Sequence, residues 1–114
     1  MKKLPLLLAI GLLSACGDKP ASTQSAPVAS AEQLIEKSAC LSCHQQGNQM
    51  KLPTWTEVAA RYKGNKDAEN LLVNKIARGG SGSWGKMDMP PYHPDLSEAE
   101  RHVVVHWILA RPVP

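Results

Sequence analysis

Residues 39–45 read Ala39-Cys40-Leu41-Ser42-Cys43-His44-Gln45. The use of these two thiols and one imidazole decides how the rest of the chain folds. The 114-residue sequence holds three cysteines. A disulfide between Cys40 and Cys43 would close a very short loop and restrict the unfolded chain little. A structural zinc site needs four ligands, and the usual second cysteine pair is absent. A thioredoxin-like Cys-x-x-Cys belongs to a βαβ unit, and no segment here reads as a strand. The spacing does provide a turn at a helix end, with both thiols on one side and the imidazole beside them.

Cys-x-x-Cys-His is the attachment signature of c-type haem. Thiols three residues apart can add to the two vinyl groups of one porphyrin edge. The next residue then lies under the iron. This reading makes Cys40 and Cys43 the thioether positions and His44 the proximal ligand of a single covalent haem c. The sixth iron position has candidates in Met50, Met87, Met89, His93, His102 and His106. Met50 follows His44 too closely and falls on the same side of the macrocycle. His102 and His106, four apart, share a helix face and read as solvent-exposed histidines rather than a metal site. The loop from Trp84 to His93 remains, stiffened by Pro90 and Pro91. Chemistry alone leaves Met87, Met89 and His93 open.

Outward from the motif, the chain reads as helices. Ser30-Ala31-Glu32-Gln33 fits a capping box opening a helix to about Ser38. Thr54-Trp55-Thr56-Glu57 opens a second, through Tyr62, stopping near Gly64. Asn65 or Asp67 caps a third, with Leu71, Leu72 and Ile76 on one side and Gly79 as its stop. Ser97-Glu98-Ala99-Glu100 opens the last, which runs to about Ala110, with Val104, Trp107 and Ile108 on one face. Residues 79–94 form a loop. The expected fold is all-α, four to five short helices around the haem.

The N-terminal side reads as an address. Lys2 and Lys3 precede an apolar run from Leu4 to Leu13, the pattern of a secretory signal. The run is shorter than the roughly 20 residues that span a bilayer. Leu13-Ser14-Ala15-Cys16 resembles a bacterial lipobox, so residues 1–15 are expected to be a lipoprotein signal peptide, with Cys16 acylated. More than one acyl chain gives stable anchoring. Residues 16–31 are the lipidated cysteine and a tether rich in Ala, Ser and Pro, too poor in large apolar groups to fold. Its residues 17–31 would span roughly 20 Å on average and at most about 50 Å. Residues 32–114 form the folded domain, small enough that a covalent staple matters. The whole chain carries a formal net charge of +3. Without Lys2 and Lys3 this falls to about +1, a balance that does not point to nucleic acid.

These motifs together resemble the short bacterial class I cytochromes c, of the c-551/c-552 type. The resemblance covers about residues 32–114. It rests on Cys40 to His44, on Pro53 nine residues after the histidine, on Gly-x-Trp-Gly-x-x-x-Met-Pro-Pro from Gly82 to Pro91, and on Trp107 in the last helix. The resemblance selects Met89 as the axial ligand. It implies that the Pro53 carbonyl accepts from His44 Nδ1, that Trp84 donates to a haem propionate, and that Lys75 pairs with one. Two positions depart from the family pattern: Ile35 stands where an aromatic is common, and Ala39 where a glycine often precedes the first haem cysteine.

His/Met ligation leaves no open site for a small-molecule substrate. The expected function is one-electron carriage in the periplasm by a membrane-anchored monomer, not an enzyme, between redox partners that could include a membrane oxidase or reductase. Lys51, Lys63, Lys75, Arg78 and Lys86 would form a basic rim. Two readings compete: a haem enzyme or ligand sensor with a labile Met89, and a copper-handling lipoprotein using Met87, Met89 and His93, which Cys40 and Cys43 could join.

Overall fold

The computed structural model describes residues 27–114. The expected signal peptide, Cys16 and most of the expected tether fall outside the described residues. Five helices follow one another: α1 (Ala31–Lys37), α2 (Leu41–His44), α3 (Trp55–Tyr62), α4 (Ala68–Arg78) and α5 (Glu98–Leu109). The all-α expectation holds, and Leu41–His44 of the Cys-x-x-Cys-His motif form the short helix α2, with Cys40 at its N-cap. Among the described residues the sole extended pairing is an isolated bridge between Gly80 and Met89.

Local chemistry sets the helix starts. Ser30, Thr54 and Ser97 each accept from a backbone N–H three residues on, and Gln33, Glu57 and Glu100 each reach back to the cap N–H. These reciprocal bonds satisfy donors that a helix N-terminus otherwise leaves without partners. The start of α4 differs. Asp67 sits at the cap position but makes no side-chain cap bond. Asn65 Oδ1 instead accepts from Asp67 N at 2.9 Å, so the turn before the helix is what Asn65 holds.

Helix α5 crosses α1, α3 and α4. The core between them contains Leu34, Ile35, Val58, Leu72, Val104 and Ile108, among others. Two sequence expectations about faces need correction. Leu71 is 50% exposed, while Leu72, Val73 and Ile76 are buried, so the inward face of α4 is rotated by about one residue. On α5 the buried positions are Arg101, Val104, Val105 and Ile108. Trp107 lies at the core's edge, where its Nε1 donates to Glu32 Oε1 at 2.6 Å and the Arg111 guanidinium stacks 3.8 Å from its ring. Arg101 is buried with Nη1 donating to the Leu96 carbonyl at 2.6 Å. That bond ties Leu96, just past the 79–94 loop, to α5. No helix among the described residues is long and apolar enough to cross a membrane.

The α1–α2 junction turns on Ala39, whose φ is 52°. This is the left-handed region, which costs an L-residue about 1–2 kcal/mol. The turn brings Cys40 N onto the Ile35 carbonyl at 3.1 Å, and it explains in backbone terms why glycine suits this position. Ala39→Gly is expected to stabilise the fold by about 0.5–1 kcal/mol, once the greater unfolded-state freedom of glycine is subtracted. Chemical denaturation of the two holoproteins checks this; a destabilised variant would contradict it.

Candidate functional site

One open-sided cavity of about 190 Å³ lies against the core. Cys40, Cys43 and His44 line it from α2, and Met89, Trp84 and Lys75 line it from α4 and the following loop. Its apolar lining includes Val58, Leu72, Ile76, Leu96, Val104 and Ile108. Pro53 lines it too, so the fold brings all seven predicted site residues to one cavity.

His44 is oriented from behind. Its Nδ1 lies 2.6 Å from the Pro53 carbonyl oxygen. A carbonyl accepts only, so Nδ1 carries the proton and Nε2 keeps its lone pair. The bond fixes the ring's plane and raises its basicity as a ligand. Pro53 is held in turn by the preceding loop, where Asn48 Oδ1 accepts from Leu52 N and Asn48 Nδ2 donates to the Leu52 carbonyl, both at 2.9 Å. The Trp55 ring stacks on the imidazole, with centroids 4.5 Å apart and planes 21° apart. In the sequence this contact shows only as an aromatic near a prolyl turn. Trp55 Nε1 is buried and has no partner among protein atoms.

Met89 is held by backbone. Gly80 N donates to the Met89 carbonyl at 2.9 Å and Met89 N to the Gly80 carbonyl at 3.2 Å. Its side chain packs against the core, whereas Met87 is 52% exposed. Beyond the two prolines, Tyr92 N and His93 N donate to the Ile76 and Ala77 carbonyls of α4, at 3.0 and 3.3 Å. Tyr92 Oη donates to the Ser38 carbonyl at 3.1 Å, joining the methionine loop to the α1–α2 turn beside the thiols. Gly79 underlies the whole arrangement. An added Cβ there would lie 2.1 Å from the Met89 carbonyl oxygen. In the sequence it reads only as a helix stop.

Lys75 Nζ donates to the Gly79 carbonyl at 3.4 Å, a long bond that leaves the ammonium at the cavity rim. Trp84 is partly exposed, with the Arg61 guanidinium over its ring at 4.4 Å. Arg61 also donates to the Ser83 carbonyl. These contacts pin the Trp84 segment to α3. Burial pushes the Cys40 thiol up from its ordinary pKa, with the neighbouring Cys43 adding to the effect and a backbone hydrogen bond opposing it. The Tyr92 phenol is raised first by burial and then by the two thiols. Thioether formation would remove those thiols' charge and leave only burial.

The residues fit a covalent haem. They offer two thiols on one turn, an imidazole with a bare Nε2, a thioether on a separate loop, an apolar lining and a buried indole N–H in need of an acceptor. Fold and cavity together are those of a small all-α protein suited to hold a haem at its Cys-x-x-Cys-His motif.

Comparison with known proteins gives the family. Residues 28–111 match the family model described as Cytochrome c. The chain is 39% identical to cytochrome c-552 of Hydrogenobacter thermophilus over 79 residues, covering 69% of this chain and 79% of that one. It is 33% identical to cytochrome c-551 of Stutzerimonas stutzeri over 111 residues, covering 96% and 98%. The crystal structure of wild-type Nitrosomonas europaea cytochrome c552 superposes with a TM-score of 0.61 at 35% identity, covering 69% of this chain and 96% of that one. The chain belongs to the cytochrome c family, as a class I c-type cytochrome. It is an electron-transfer protein rather than an enzyme, and it carries haem c with its iron. Its partners are redox proteins, and bacterial c-type cytochromes are periplasmic.

Proposed function

We propose that this chain is a membrane-tethered periplasmic electron carrier whose haem iron is held between His44 and Met89. Bound haem supplies reversible one-electron chemistry at iron. The protein's part is to hold its ligands still. Cys40 and Cys43 fix one porphyrin edge. The Pro53 carbonyl and the Trp55 ring fix the His44 plane. The Gly80–Met89 bridge and the stiff Pro90-Pro91 segment fix the sulfur. Two ligands restrained by separate frameworks need move little when the iron changes oxidation state, and that permits fast electron exchange. A thioether opposite an imidazole raises the potential. Trp84 and Lys75 serve the haem's propionate edge. The observation that carries this reading is the different packing of the two methionines: both line the cavity, but Met89 is part-buried against the core, while Met87 is 52% exposed.

The domain boundaries follow the same reading with one adjustment: a signal peptide over 1–15, an acylated Cys16 with its tether, and the cytochrome domain to 114, whose first helix already begins at buried Ala31 with Ser30 as its cap. The lipobox-like Leu13–Cys16 supports this, together with a cysteine supply in which the other two are used by haem. Acylation would confine the carrier within tether reach of membrane-bound redox enzymes. Cys16→Ser is expected to move the protein from the membrane fraction to the soluble periplasmic fraction, with an unchanged haem spectrum. Fractionation with haem staining tests this; a variant as membrane-bound as the native chain would overturn the anchor and leave the haem assignment standing. The basic rim of Lys51, Lys63, Lys75, Arg78 and Lys86 favours an acidic docking face. The association rate with such a partner is therefore expected to fall as salt is added, and a salt-independent rate in stopped-flow measurements would count against the rim.

A further inference from the structure

Away from the haem cavity, Glu69 on α4 faces His102 and His106 on α5. His102 Nδ1 and His106 Nε2 lie 2.6 and 2.9 Å from the same carboxylate oxygen, Glu69 Oε1. One ligating atom from each of the three residues falls within 4.8 Å of the others. The sequence shows the two histidines one helical turn apart, but their shared partner lies 33 and 37 residues earlier. None of the three lines the haem cavity.

From this cluster we propose a second metal site: Glu69, His102 and His106 bind one divalent transition cation of the zinc class, with water completing the coordination. Imidazole nitrogen and carboxylate oxygen are the donors such cations take, at about 2.0–2.2 Å. Tetrahedral bonds of that length set donor atoms roughly 3.3 Å apart. The observed separations of 2.6 and 2.9 Å reach that value with small side-chain rotations. The donors also come pre-assembled. His102 and His106 are i, i+4 neighbours on one rigid helix, and α4 delivers the carboxylate, so little side-chain freedom remains to be lost on binding.

The protons have somewhere to go. Each imidazole now faces Glu69 through a nitrogen that must be bare to ligate. In the neutral ring the proton moves to the other nitrogen. For His102 that nitrogen is Nε2, which lies 4.0 Å from Glu98 Oε1. That separation is longer than a hydrogen bond, so exposed Glu98 would have to close on the ring to act as the carboxylate that orients a ligating histidine. The cluster also has partial exposure, with side-chain accessibilities of 35% for His102, 69% for His106 and 40% for Glu69. A hydrated cation can therefore reach it from solvent. A bound cation would join α4 to α5, the two helices whose inner faces line the haem cavity.

The test uses the full holoprotein, since the site does not depend on which residue ligates the haem. Zn²⁺ is titrated by calorimetry into the native chain, His106→Gln and Glu69→Gln, and thermal unfolding is followed with and without Zn²⁺. The expected result is one saturable site per native chain, weakened at least about tenfold in each variant. Zn²⁺ should raise the melting temperature of the native chain and leave that of His106→Gln unmoved. His106 is largely exposed, so its variant is expected to fold, and the haem spectrum verifies that it has. No saturable Zn²⁺ binding, or equal binding by native chain and variants, would overturn the proposal. The cluster would then be a hydrogen-bonded brace and nothing more.

Discussion

Met89→Ala is expected to lower the reduction potential by on the order of 0.1–0.2 V, a fraction of the roughly 0.8 V over which axial ligands tune haem iron. The thioether is a weak donor that favours the reduced iron. On the proposed ligation, its loss would leave water or another side chain at the sixth position. The reduced variant should then bind carbon monoxide rapidly, while the native chain should bind it slowly or not at all. Met87→Ala is the matching control. Met87 is largely exposed, so its removal should leave potential and carbon monoxide binding close to native. Voltammetry and flash photolysis read the two effects separately. Equal behaviour of the two variants would remove Met89 from the iron and favour the ligand-sensor reading.

Gly79→Ala should be the most damaging single-methyl change in the domain. Gly79 ends α4 with φ 65° and ψ −145°, a region essentially closed to L-side chains. An added Cβ would also lie 2.1 Å from the Met89 carbonyl oxygen, 2.8 Å from the Pro90 carbonyl carbon and 2.9 Å from Pro91 N. All three are backbone atoms, so no side-chain rotation relieves the clash; the methionine loop must move. The combined cost is about 3 kcal/mol or more, which for a domain of this size lowers the melting temperature by roughly 10 °C or more. Gly64→Ala separates the two causes. Gly64 has φ 76° but nothing within 4 Å of its added Cβ. It should lose only about 1 kcal/mol and keep native ligation. A Gly79→Ala protein as stable as Gly64→Ala would show that the loop does not rest on this glycine.

Much of the fold was legible because its signals are local. Ser30 with Gln33, Thr54 with Glu57 and Ser97 with Glu100 each announce a helix start within four residues, and all three capping boxes form. The Cys40–His44 spacing is equally compact, so its chemistry could be read from five residues, although it reads as a turn at a helix end and the structure makes Leu41–His44 a short helix. Faces were harder. Leu71, Leu72 and Val73 are consecutive and all apolar, so periodicity alone cannot say which two turn inward. Packing against α5 settles it for Leu72 and Val73. The same limit hid Val105, fully buried beside Val104.

What escaped the sequence altogether were contacts made across the fold. The stack of Trp55 on His44, the close approach of Gly79 to Met89 and the pairing of Glu69 with two histidines all join residues at least ten positions apart. Each residue has an adequate local role, as helix start, helix stop or surface charge. Nothing in that role shows the second partner. The departure at Ala39 lay between these cases. Its family context marked it as unusual, and the φ of 52° supplies the reason.

The most direct test is the absorption spectrum of the oxidised full chain, produced in a host with haem-attachment machinery and scanned from the visible into the near-infrared. Ligation by His44 and Met89 predicts a coloured, low-spin haem protein with the weak near-infrared band of iron–sulfur bonding, and loss of that band in Met89→Ala but not in Met87→Ala. A colourless protein, or a haem spectrum lacking the band in the native chain, would contradict it.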